Sequence, residues 1–142
     1  MADRTFHPLD GSLDRKVVEL FGHLTIGATG AITAEDSNGF STARTGVGLY
    51  TITLQDKYPR SPADYVTKGT FTSPLLDMDF LILDAGTRSF LQMSIVSQTV
   101  HTDGKINIVF DSSANTPADP NSGCTIRLRI VLKNSSTPRK GM

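Results

Sequence analysis

Apolar residues return at every second position through most of this chain, a spacing that predicts strands rather than helices. After Lys16, one face carries Val18, Leu20, Leu24 and Ile26 with Gly22 in the gap, and the other carries Val17, Glu19, Phe21 and His23. A short helix over residues 13–21 is the rival reading of that start. Tyr50, Ile52 and Leu54 alternate with Leu49, Thr51 and Thr53, so one side is greasy and the other is largely hydroxylated. Further strands are expected at residues 80–83, 90–100, 106–110 and 125–133. A brief one is expected at 31–33, among the turns of 27–41. Residues 65–72 read as a short strand, held at a sheet edge or outside the sheet by Pro62 and Pro74, and residues 75–79 as a connection. Asp103-Gly104 between two such runs marks a hairpin. The predicted core is Tyr50, Ile52, Leu54, Ile106, Ile108, Phe110, Ile126, Leu128, Ile130 and Leu132.

Short strands punctuated by turns, without a long helical stripe, define an all-β chain: an antiparallel β-sandwich, with a jelly roll as the specific form expected. The organisation read from the sequence is an extended N-terminal arm at residues 1–14, a β-sandwich domain at 15–134 and a flexible C-terminal tail at 135–142. The arm holds Pro8, Gly11 and several charges, with only scattered apolar residues.

The stretch RTGVGLYTITL, residues 44–54, has the look of a glycine-rich phosphate loop. Such a loop binds anions because it opens a helix whose first amides point at the phosphate. Here it opens an alternating strand, so Gly46 and Gly48 mark close backbone approach or a bulge instead.

Charge and cysteine content narrow the function classes. Fourteen basic and fourteen acidic side chains among 142 residues give zero formal charge, so no global field draws the chain to nucleic acid or to an anionic membrane. Neither partner is expected. With one cysteine, Cys124, an intrachain disulfide and a multi-cysteine metal site are excluded. No apolar run reaches the ~20 residues that a spanning helix needs, and the first residues lack a secretory signal, so synthesis and folding in a cytoplasm are expected.

Each candidate for chemistry carries a plainer reading beside it. His7, His23 and His101 have no second histidine at metal-ligand spacing, and no G-x-S-x-G elbow is present. Asp77, Asp79 and Asp84 offer a carboxylate cluster for glycosidase-type work or, more simply, strand ends and turn caps. Loop 111–123 supplies oxygen atoms for calcium or for a glycan, but without EF-hand spacing, and Cys124 reads as a packing residue. On the last strand Arg127, Arg129 and Lys133 share a face opposite Ile126, Leu128, Ile130 and Leu132. That basic row fits phosphates, the acids of a partner, or a solvated edge strand guarded by its charges. No catalytic residue, cofactor or metal is expected.

The run Arg44-Thr45-Gly46-Val47-Gly48-Leu49-Tyr50-Thr51 through Leu54, with Asp56-Lys57-Tyr58-Pro59 after it and Gly27-Ala28-Thr29-Gly30-Ala31 before it, resembles a segment of small virion proteins of tailed bacteriophages. Within that group the chain is most similar to capsid decoration, or cement, proteins. The resemblance covers mainly residues 20–60. It implies a non-enzymatic homotrimer on the outside of the capsid, bound to the major capsid protein. On this reading Arg4, Phe6, Leu9 and Leu13 of the arm contact the capsid, and Leu49, Thr51, Thr53, Asn107 and Val109 form the trimer interface. The alternative is a carbohydrate- or receptor-binding jelly-roll module of a phage fibre or virion surface. A third reading is a small enzyme built on Asp77, Asp79 and Asp84.

Overall fold

The computed structural model describes residues 17–56, 58, 74–84, 86 and 90–133. The arm, the short strand expected at 65–72 and the tail lie outside them. Nine strands form among the described residues: β1 (Val17–Ile26), β2 (Ile32–Ser37), β3 (Phe40–Gly46), β4 (Leu49–Leu54), β5 (Leu75–Leu83), β6 (Gln92–Thr99), β7 (Lys105–Ser113), β8 (Thr116–Pro117) and β9 (Thr125–Lys133). They build two antiparallel sheets, β2-β1-β9-β5 and β3-β4-β7-β6, with β8 beside β7. The chain is thus an all-β sandwich, as its period of two predicts. The strand order by itself does not define the jelly-roll form.

The core lies between the sheets. All ten predicted core residues are buried, joined by Leu20, Leu24, Ile26, Phe40, Tyr58, Val100 and Cys124. Phe110 on β7 links the layers, its ring edge-on to Tyr50 at 5.7 Å within its own sheet and to Phe80 of the other sheet at 5.5 Å. Gly22 holds an inward position on β1, beside the point where the chain passes from Ser37 of β2 to Phe40 of β3 in the other sheet. A Cβ would come 2.5 Å from the Phe40 ring.

Several expectations need correction. The start of β1 is a strand, so the helix over 13–21 does not hold for residues 17–21. Strand β2 runs to Ser37, beyond the brief strand expected at 31–33. Residues 75–79 are strand, not connection. A register shift between Leu75 and Asp77 places two apolar residues side by side and hides the period. Loop 111–123 is shorter than expected, because β7 continues to Ser113 and β8 follows at Thr116–Pro117. Strand β9 is no solvated edge. It sits between β1 and β5, and Lys133 is buried at 8% exposure.

Candidate assembly surfaces and the locked end of the sandwich

Alternation along β3, β4, β7 and β6 sends every second side chain outward, and the register aligns these side chains in rows. Ala43, Thr51, Asn107 and Ser97 form one row, and Leu49, Val109 and Ser94 the next. A third row, Ser41, Thr53, Lys105 and Thr99, bounds the face at one end, and Asp111 opposite Gln92 bounds it at the other. Between Lys105 and Asp111 this outer face carries no charged side chain. Its centre is tied across strands by hydrogen bonds: Thr51 Oγ1 donates to Asn107 Oδ1 at 2.7 Å, and Asn107 Nδ2 donates to Ser97 Oγ at 2.9 Å. Leu49, Thr51, Thr53, Asn107 and Val109, the expected interface residues, therefore share one surface. The capsid-contact candidates Arg4, Phe6, Leu9 and Leu13 lie outside the described residues.

The RTGVG stretch forms the tip of the β3–β4 hairpin and part of a lock with the loop before β9. Arg44 grips Asp119 with both arms of its guanidinium, Nε to Oδ1 at 3.0 Å and Nη2 to Oδ2 at 2.8 Å. The Gly48 amide donates to the same Oδ1 at 2.8 Å. Gly48 has φ +69, and a Cβ there would lie 2.6 Å from the Phe110 carbonyl oxygen and 2.8 Å from the Ala118 nitrogen. The glycine thus serves close approach to β7 and β8. Tyr50 completes the end by donating its hydroxyl to the Gly30 carbonyl at 2.7 Å. Hydrogen bonding from Arg44, aided by the Gly48 amide, holds the Asp119 carboxyl below its ordinary pKa. Burial first, and then the Asp119 charge, push the Tyr50 phenol up to about 12.

The outer face of the other sheet is charged. Arg129 on β9 is tied to Glu19 at 3.0 Å, Asp79 at 3.0 Å and Asp77 at 3.5 Å. The bond to Glu19 first, and then that to Asp79, raise its pKa. Two of the three carboxylates suggested for chemistry are thus engaged with Arg129, and this member of the basic row of β9 meets acids of its own chain. Beside them, His23, Arg127 and Leu81 stand in one row and Phe21 in the next, around a depression of about 290 Å³. Phe21 and Leu81 are 52% and 54% exposed. Among the described residues no group of three or more His, Cys, Asp or Glu is arranged to hold a metal. Cys124 is buried, and burial, with a smaller contribution from Asp84, pushes its thiol pKa up.

One further surface had no signal in the sequence. On the flank where β5 and β6 end their sheets, each strand carries a register irregularity, at Leu76 and at Val96. Leu75, Leu76, Asp77, Met78, Ile95 and Gln98 line a depression between these strands, and Ile95 and Val96 are 42% and 59% exposed. Which strands become edges is decided by tertiary pairing, and local alternation does not report it.

An all-β sandwich with one outer face uncharged over its centre and the other ion-paired is the class these observations define. Comparison of the chain with protein-family models, curated proteins and solved structures finds no match in any of the three.

Proposed function

We propose that the chain is a non-enzymatic structural protein of a tailed-bacteriophage virion, a decoration or cement protein that binds the major capsid protein shell from outside as a homotrimer. The observation that carries this reading is the uncharged outer face of β3-β4-β7-β6. One residue in five of this chain is charged, yet the rows Ala43-Thr51-Asn107-Ser97 and Leu49-Val109-Ser94 carry no charge. Depletion of charge with retention of small polar and apolar groups is how interface cores differ from ordinary surface. The resemblance of residues 27–31 and 44–59 to virion proteins supplies the setting.

In this reading the β body holds three arms together, and Arg4, Phe6, Leu9 and Leu13 of each arm dock on the shell. A segment that orders on binding loses conformational entropy, so one arm binds weakly. Three joined arms bind well, because the second and third contacts form at high effective concentration. Cosedimentation with expanded shells assembled from the major capsid protein of the same virion tests the reading. The full chain should bind saturably, and deletion of residues 2–14 should leave a folded trimer that no longer binds. Absence of binding by the full chain contradicts the decoration role, and undiminished occupancy by the truncated chain contradicts the role of the arm.

A second reading, a carbohydrate- or receptor-binding module, is favoured by one observation: an exposed aromatic ring, Phe21, stands with Asp79 and Arg127 around the depression on the opposite face. Glycan-array binding abolished by Phe21→Ala would select it.

A further inference from the structure

The outer face of β2-β1-β9-β5 belongs to the sheet opposite the proposed trimer surface. We infer that the depression on this face binds a sugar acid, a pyranose ring bearing one carboxylate, with Arg127 taking the carboxylate and Phe21 and Leu81 taking the apolar faces of the ring. The inference rests on the second, carbohydrate-binding reading, whose sugar class it names, and it does not depend on the trimer.

The two arginines of β9 differ in what they hold. Arg127 and Arg129 stand two positions apart on one strand, so their side chains leave the sheet on the same side, ~6.6 Å apart at the backbone. Arg129 takes Glu19, Asp77 and Asp79. Among the described residues Arg127 makes no hydrogen bond and no ion pair. Its neighbours across the strands are His23 on β1 and Leu81 on β5, and neither is an acid. Asp36 lies one strand further off, opposite His23. A guanidinium with no acid of its own chain has a planar fork of N–H groups open to an external carboxylate, which it can hold with two parallel bonds.

The walls suit a sugar. Phe21 and Leu81, 52% and 54% exposed, stand at opposite corners of the depression, with His23 and Asp79 at the other two. The electron-rich face of an aromatic ring attracts the slightly positive C–H groups of a pyranose. Asp79 bonds Arg129 through Oδ2, which leaves Oδ1 to accept from a sugar hydroxyl, and the His23 ring adds a further polar group. The volume, about 290 Å³, is at the small end of ligand pockets, roughly 300–1,000 Å³, and suits one sugar residue.

Charge limits the anion. Three carboxylates share the one guanidinium of Arg129, so negative charge is in surplus one row away from Arg127. Each extra negative charge on a ligand adds repulsion from that surplus, which disfavours a phosphate dianion or a run of acidic residues. A single carboxylate on an otherwise neutral, hydroxylated ring meets the least repulsion and brings the hydroxyl donors that Asp79 can use. A peptide carboxylate brings none. Exposed ion pairs are weak in water, so binding at one site falls in the millimolar range.

The test is a titration of the isotope-labelled full chain, followed through its backbone amide resonances. The ligands are methyl β-glucuronide, methyl α-sialoside, the neutral reference methyl β-glucoside and the peptide acetyl-Gly-Asp-Gly-amide. At least one of the two sugar acids should saturably shift the amides around Phe21, Leu81 and Arg127, and should bind about fivefold more tightly than the glucoside. Arg127→Gln should reduce the acid to the level of the glucoside, and Phe21→Ala should weaken every sugar, with resonances away from the site unchanged in both variants. Equal binding of glucoside and sugar acids overturns the inference and leaves the carbohydrate reading standing. Absence of shifts at the site with every sugar removes both. Peptide binding as tight as that of the sugar acids overturns the sugar class, and a preference that survives Arg127→Gln overturns the role of Arg127.

Discussion

Leu128 shows what single positions contribute. It is 2% exposed on the central strand β9, between layers joined by Phe80 and Phe110. Truncating a buried leucine loses its transfer free energy and leaves a cavity, so Leu128→Ala should cost about 2–5 kcal/mol in chemical denaturation. A cost within ~0.5 kcal/mol would mean that the inward face of β9 is wrongly assigned. Gly48 acts through the backbone. Its positive φ disfavours any side chain, and a Cβ would press on the Phe110 oxygen. Gly48→Ala should therefore destabilise by about 1–3 kcal/mol, whereas a helix-opening phosphate loop would show lost anion binding instead. The sequence marked both residues correctly, one by its alternation and the other by the strand that follows it.

At the scale of elements, the lock between the β3–β4 hairpin and the loop before β9 is sensitive to pH at both extremes. Asp119 has a folded pKa below its unfolded value, so its stabilisation is present above the ordinary carboxylate range, about 4, and is lost as pH falls through the lowered value. Tyr50 has a folded pKa raised from 10.0 to about 12, so its contribution is complete below 10 and lost as pH rises towards 12. Thermal melting across pH should therefore show an acid loss that Asp119→Asn flattens and an alkaline loss that Tyr50→Phe flattens. The phenylalanine variant should lose about 0.5–1.5 kcal/mol at neutral pH from the missing bond to Gly30. Profiles unchanged by these substitutions would show that the lock does not hold the two elements together. The partner of Arg44 was not legible, because Asp119 is 75 residues away. Strand β3 was missed as well, since its inward positions, Phe40, Thr42 and Arg44, carry one apolar side chain among them. In β5 the irregularity at Leu76 broke the period. In β9, Arg127 and Arg129 suggested an edge where the strand is central, because their face is open to solvent while both flanks are paired.

For the whole molecule, the face and the flank differ in how far they could be foreseen. Leu49, Thr51, Thr53, Asn107 and Val109 were readable as one surface because strand alternation assigns each to a face. The flank was not, since the pairing of β5 with β9 and of β6 with β7 brings Leu76 and Ile95 to one depression across two sheets. On the proposed trimer reading the centre of the β3-β4-β7-β6 face seats a neighbouring copy without ion pairs, so assembly should be insensitive to salt, unlike a ring held by charges. Sedimentation equilibrium of the purified chain over a range of concentrations tests the account most directly. It predicts a species of three times the 15.3 kDa chain mass that persists at high salt. A monomer at every concentration, both alone and in the presence of shells, would contradict it.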